Sequence, residues 1–450
     1  MGTPRPLAAT HPYLGDLSSE VGGRDSSLLE EGDLVEIPIL SLEGVVLFPN
    51  ETLPLRLRNQ AYVALARGTM SGQGVSFMGE GRRGTRVVGQ LGVVNRLVAR
   101  SGGLLIRTVA VGTTADIRSW HLGDGGDSLV LMARGRHRFR LVEDRGWRRG
   151  VRIWKVHITP NLCPGPPPLV GPRSLNLSRR HWALAAPPFA WASHSPHTLA
   201  ARASAMVRKT QMWGGLGGNA EGVRSSEERQ AREHNSVGVG VEQEGGEGRL
   251  AGSGGFVGGE AGEPGGDPDG LEGRKVDPTI LSFWLGANLP LQDTERHEQL
   301  QMDSVVARLR RELEYLEVSS KGALCCIWCE TPVALQEDVF VLPGAEGVVG
   351  AYVNPEGFVH QTVTLRQAHN LSLEGQPVTQ DSWFPGYAWT SVRCNGCWKH
   401  LGWHFLSVNQ LVPAVVQGAS PLLLTLGRLR PEDAQAAASG EGEGGGSTGV

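Results

Sequence analysis

Two Cys-x-x-Cys pairs, Cys326/Cys329 and Cys394/Cys397, are the residues of this chain whose type and spacing imply chemistry most directly. Each pair forms a tight knuckle with its two sulfurs on one side, and two knuckles supply the four thiolates of a closed tetrahedral zinc site. Four thiolates leave no open coordination position, so the expected cofactor is one structural zinc and not a catalytic one. The 64 residues between the pairs, 330–393, exceed the spacing of a small zinc ribbon, and a whole sheet is expected to loop out between them. Cys325 adjoins the first ligand, but only Cys326 has the two-residue spacing to Cys329. Cys325 therefore reads as a spare small hydrophobe or an alternative ligand.

The second pair sits inside DSWFPGYAWTSVRCNGCWKHLGW, residues 381–403, which also carries Trp383, Trp389 and Trp403. Tryptophan in a β domain commonly fills the core. Three of them near Tyr387 and Phe405, beside turn residues, also fit a cage that grips a flat or cationic ligand by its faces. Free backbone groups in the turns could orient such a ligand. The residue types leave a methylated ammonium and a planar amide both open.

The elements that must position these residues read as mainly β with an α-helical insertion. Residues 1–33 lack periodicity and suit a disordered leader. Short β-rich runs at 34–57, 87–98, 104–117, 128–144 and 150–158, punctuated by Pro38, Gly44, Pro49 and Pro54, predict a β domain over 34–160. Residues 161–213 begin as a Pro-rich connector and end in a helix whose Leu199, Ala203, Met206 and Val207 share one face. Gly and Glu dominate 214–275, where a disordered insertion and a misjoined gene segment would look alike. A helical return is expected over 276–317. Within it, 291–317 reads as one helix begun at Asp293, with Leu300, Val305, Leu309, Leu313 and Leu316 as the stripe that packs on the β domain. A compact antiparallel β domain is expected over 318–430, and 431–450 reads as a disordered tail.

Composition narrows the function classes. A formal charge of −3 argues against nucleic acid as the default partner. No run approaches the ~18 apolar residues of a membrane span, and the first residues lack the apolar segment of a signal peptide. Six cysteines in 450 residues are too few for a disulfide scaffold. A soluble protein of a reducing compartment is expected.

Two resemblances add to this reading. EIPILSLEGVVLFPNETLPLRL with the later GRHRFRLVE resembles the β-rich N-terminal domain of Lon-type proteases. No glycine precedes any of the five lysines, so the phosphate loop of an ATPase is absent. GALCCIWCE, AYVNPEGFVHQTVTL, SWFPGYAW, CNGC and LGWHF then resemble the cereblon family, substrate receptors of cullin-RING ubiquitin ligases that join a Lon-type domain to a thalidomide-binding zinc domain. That resemblance implies a non-catalytic receptor of the cytoplasm and nucleus. Trp383, Trp389 and Trp403 would form a tri-tryptophan cage for glutarimide drugs and for proteins ending in a cyclic imide. Asn354, Pro355, Asp381, Ser382, Tyr387 and Phe405 would line it, with Cys326, Cys329, Cys394 and Cys397 on the zinc. A β-propeller adaptor of the ligase would be the partner, marking targets for ubiquitination and proteasomal degradation. The chain departs from the family at Asp381, where His is often found, and in 181–275, where the adaptor-binding segment would lie. A four-cysteine zinc site also resembles the B-type methionine sulfoxide reductases, which need a further nucleophilic Cys, and here only Cys325 remains in the domain.

Overall fold

The N-terminal strands close into a ring through their longest members. The structure, a computed structural model, describes residues 11–15, 19–20, 29–70, 77–78, 86–87, 90–98, 106–123, 128–163, 195–209, 276–319, 322–342, 345–408, 422–425 and 429–431. The expected glycine-rich insertion, the Pro-rich stretch 164–194, most of the leader and the tail after Pro431 lie outside them. The strands are β1 (Ser19–Glu20), β2 (Leu34–Glu43), β3 (Thr52–Leu57), β4 (Phe77–Met78), β5 (Arg86–Val87), β6 (Gln90–Val98), β7 (Ile106–Leu122), β8 (Leu129–Arg148) and β9 (Val151–Ile158). They run in the order β1-β7-β6-β2-β9-β8-β3, and β7 also pairs with β8, which closes the sheet; β4 and β5 pair apart. Among the described strands of this sheet and of the β4–β5 pair, only β2 and β6 pair in parallel, and the other pairs are antiparallel. Burial along β9 switches face: Val151 and Ile153 pack in one cluster with Leu53, Leu55 and Leu131, and Val156 and Ile158 in another with Val35, Ile37 and Phe139.

Among the described residues five α-helices accompany the ring: α1 (Gln60–Met70), α2 (Pro196–Lys209), α3 (Pro278–Asn288), α4 (Asp293–Gln301) and α5 (Val305–Ser319). The expected single helix over 291–317 is two, broken at Met302–Ser304. The break has a chemical cause. The carbonyls of Leu300 and Met302 accept from the buried Arg138 of β8 at 2.9 and 3.0 Å, and Met302 accepts from Arg308 at 2.6 Å, so the last carbonyls of α4 bond to arginines in place of the next helical turn. The first of the two helices begins at Asp293, as expected. Gln292 caps α4, with Glu295 closing the box by accepting from the Gln292 N–H at 3.0 Å, and Asp293 is the first helical residue. The expected stripe accordingly divides. Leu300 packs with Val46, Phe48 and Phe283 against the ring, whereas Val305, Leu309, Leu313 and Leu316 pack with Leu199, Ala203 and Val207 of α2.

The C-terminal strands are β10 (Ala323–Cys326), β11 (Pro332–Leu335), β12 (Val349–Val353), β13 (Val359–Leu365), β14 (Leu371–Val378), β15 (Tyr387–Cys394), β16 (His400–Ser407), β17 (Leu422–Thr425) and β18 (Leu429–Pro431). They form two antiparallel sheets, β11-β10-β18 and β12-β13-β17-β16-β15-β14. Their shared core continues into the helices, since Leu324, Val333, Val363, Val392 and Leu424 belong to the same buried cluster as the α5 stripe. The β12–β13 hairpin meets the ring. Ala351, Val353 and Val359 pack with Leu53, Leu55 and Ala133. Gln361 of β13 accepts from the Val46 N–H at 3.0 Å and donates to the Val46 carbonyl at 3.1 Å and to Glu51 at 3.0 Å. Glu51 in turn accepts from the buried Arg296 of α4 at 3.2 Å. No helix among the described residues is long and apolar enough to cross a membrane.

Candidate functional site: a zinc staple beside an aromatic cluster

Cys326 ends β10 and Cys394 ends β15, and each is followed by the same turn. The Cys326 carbonyl accepts from the Glu330 N–H and the Cys394 carbonyl from the Trp398 N–H, both at 2.8 Å. Glu330 and Trp398 both adopt left-handed backbone, at φ 63° and 60°. The Cys326 and Cys394 N–H groups close the two knuckles onto the carbonyls of Thr331 and Lys399. The four sulfurs lie within 4.8 Å of one another, with Cys326–Cys397 at 3.6 Å and Cys329–Cys394 at 3.5 Å. Zinc bound at about 2.3 Å to each of four tetrahedral sulfurs needs them roughly 3.8 Å apart, so the donor set fits. These cysteines are the ligand set of one structural zinc. Burial pushes the Cys326 thiol up to about 12, and a hydrogen bond with the Thr331 hydroxyl draws Cys329 down to about 6. Gly396 is required by space, because a Cβ there would stand 2.3 Å from the Thr331 hydroxyl oxygen. Cys325 lies outside the sulfur cluster and is buried.

The same strands carry the aromatic residues. Direct register places Trp389 opposite Phe405 and Ser391 opposite Trp403 on β15 and β16, so both tryptophans project from one sheet face. Trp383 reaches that face from the turn before β15. Phe384-Pro385-Gly386-Tyr387 is a turn closed by a 3.0 Å bond from the Tyr387 N–H to the Phe384 carbonyl, with Gly386 at φ 89°. Trp383 is 6% exposed, stacks on Tyr352 at 4.9 Å and meets Trp403 edge-on at 4.8 Å. Its indole N–H donates to the Val353 carbonyl at 3.2 Å, and that of Trp389 to the Gln380 carbonyl at 2.8 Å. Both N–H groups therefore fix ring orientation. Trp389 and Trp403 remain half-buried, so Trp383 is the floor of the cluster and they are its walls.

The remaining candidates occupy two places. Phe405 and Tyr387 join the cluster, Phe405 with its ring edge-on to Phe384 at 4.8 Å. Pro355, Asp381, Ser382 and Tyr387 line an adjoining cleft of ≈ 410 Å³, together with Tyr13 of the N-terminal segment and Arg56 of β3. Asp381 is exposed and adopts φ 55°. Asn354 lines neither; it shapes the β12–β13 turn, its side chain accepting from the Phe358 N–H at 2.8 Å. Sequence reasoning missed Tyr352, His360, Tyr13 and Arg56. Tyr352 and His360 face each other across the hairpin, and His360 lies edge-on to Trp403 at 4.8 Å. The Asn354–Gly357 turn signal could have predicted that register. Tyr13 and Arg56 come from distant segments and carry no local signal.

Two family models match the chain: the ATP-dependent protease La (LON) substrate-binding domain over residues 36–166, and the Yippee zinc-binding/DNA-binding/Mis18 family over 323–418. Protein cereblon of Xenopus tropicalis is 29% identical over 90% of this chain and 80% of its own length. Protein cereblon of Danio rerio is 29% identical over 90% and 83%, and that of Drosophila melanogaster is 35% identical over 35% and 28%. The match to a solved Lon N-terminal domain protein from Xanthomonas campestris covers 62% of this chain and 98% of that one at 17% identity and a TM-score of 0.31. With a LON substrate-binding domain match, a four-cysteine zinc domain and relatives aligned through both, the chain is similar to the cereblon proteins over nine tenths of its length.

Proposed function

We propose that this chain is the non-catalytic substrate-recognition subunit of a cullin-RING ubiquitin ligase, holding a cyclic imide between Trp383, Trp389 and Trp403. The observation that carries the reading is the gathering of these three indoles into one cluster whose sheet is stapled by the zinc cysteines. A flat ring set on the cluster would bury its faces against aromatic carbon. The Asp381 N–H and carbonyl make no hydrogen bond with other described residues, which leaves them for the polar edge of an imide. The ligands of this class are C-terminal cyclic imides formed from Asn or Gln, and glutarimide drugs. The proposal extends to receptor action, adaptor docking, target degradation and a cytoplasmic and nuclear site of action, and the likeness to the cereblon proteins supports it. Catalysis of the sulfoxide-reductase type would need an accessible thiol beside the metal, and Cys325 is 3% exposed.

The test is a matched peptide pair, one ending in the closed imide and the other in its ring-opened carboxylate. Binding confined to the closed form is expected, and equal binding or none would overturn the assignment. Asp381 favours a second ligand class, because its exposed carboxylate at the cleft would attract a methylated ammonium. Competition between a trimethyl-lysine peptide and the imide peptide separates the two.

A further inference from the structure

The cleft beside the aromatic cluster has one wall from each half of the molecule. Asp381, Ser382 and Tyr387 stand on the zinc-domain side and Arg56 on the ring side. Arg56 is held firmly: it pairs in register with Val130 of β8, and its carbonyl is so close to Gly357 of the β12–β13 turn that a Cβ there would approach to 2.7 Å. Its side chain is half-buried, its Nε is buried without a hydrogen-bond partner, and the guanidinium forms no ion pair among the described residues. The Tyr13 hydroxyl in the same cleft accepts from the Val353 N–H at 3.0 Å. A half-buried guanidinium without an acceptor favours a ligand that brings one.

The cleft and the cluster share Tyr13 and Tyr387, and they also meet through Val353 and Ser382. Val353 lines the cleft and its carbonyl holds the Trp383 indole, and Ser382 lines the cleft next to Trp383 in the chain. A peptide whose terminal ring rests on Trp383 would continue into this cleft. We propose that Arg56 is a specificity-determining residue that pairs with a carboxylate side chain in the substrate segment just before the terminal imide. The inference rests on the imide reading of the cluster. Asp381 opposes Arg56 from the exposed lip, so removing either charge shifts the preference in opposite directions.

Titrations of the full zinc-loaded chain with three probes test this: glutarimide alone, an imide-terminated peptide with Glu before the imide, and the same peptide with Lys there. The Glu peptide is expected to bind about fivefold or more tighter than the Lys peptide at low salt, with the difference shrinking as salt rises. Arg56→Gln should abolish that difference while leaving glutarimide affinity unchanged, and Asp381→Asn should enlarge it. Unchanged glutarimide affinity also shows that the variant remains folded. Glutarimide binding with no difference between the peptides, or a difference that survives Arg56→Gln, would overturn this inference alone. Failure of glutarimide itself to bind the folded chain would overturn the imide reading and this inference together.

Discussion

At the residue scale, the three tryptophans differ in what their removal should do. Trp383 is buried, stacked and hydrogen-bonded, so Trp383→Ala should cost about 3–5 kcal/mol of stability as well as ligand affinity. Trp403 keeps one side open, and Trp403→Ala should cost affinity about tenfold or more while moving the melting temperature far less. Calorimetry and thermal melts on the two variants check the contrast. Gly396→Ala should push against Thr331 and Cys329 and weaken zinc retention, measurable by chelator competition. The ligand cysteines were legible because a repeated two-residue spacing is a local signal that needs no fold. The difference between Trp383 and Trp403 was not, because it depends on Tyr352 arriving from another strand.

At the element scale, α4 carries a pH-sensitive group. Burial holds His297 down to about 4, below the 6.5 of an exposed imidazole, and both ring nitrogens lack hydrogen-bond partners among the described residues. Between these values the unfolded chain takes up the proton and the folded chain does not, so stability falls as pH drops from about 6.5 towards 4. The loss attributable to this group reaches up to about 3 kcal/mol at the acid end, and His297→Leu should flatten that part of the profile in urea titrations at stepped pH. Strands were readable as β-rich runs between turn residues, whereas the switch of β9 from one buried face to the other after Ile153 has no local signal. The division of 291–317 into α4 and α5 was hidden because its cause lies in Arg138, more than 150 positions earlier in the chain. Helix α1 was missed for a related reason: RNQAYVAL places Tyr62, Val63, Leu65 and Ala66 inward by packing on the ring, within a stretch too short to declare a period.

At the scale of the whole molecule, the zinc domain and the ring share a junction made of a few specific bonds. Gln361 serves Val46 and Glu51, and Glu51 serves Arg296, so one side chain ties the β12–β13 hairpin to a ring loop and to α4. Gln361→Ala leaves the Val46 N–H without its acceptor and should cost about 2 kcal/mol, read as increased proteolysis at the junction and a lower melting temperature. Such a junction joins residues over 300 positions apart and has no counterpart in local sequence. Stripping the metal should unfold the zinc domain and abolish ligand capture together, because the four thiolates join the β10–β11 turn to the β15–β16 turn beside the tryptophans. The central claim is that the stapled indole cluster holds a cyclic imide. Isothermal titration of glutarimide into the full zinc-loaded chain tests it most directly. Saturable one-to-one binding that weakens about tenfold or more in Trp403→Ala and is lost after chelation is predicted, whereas no binding by folded, zinc-loaded protein would contradict the account.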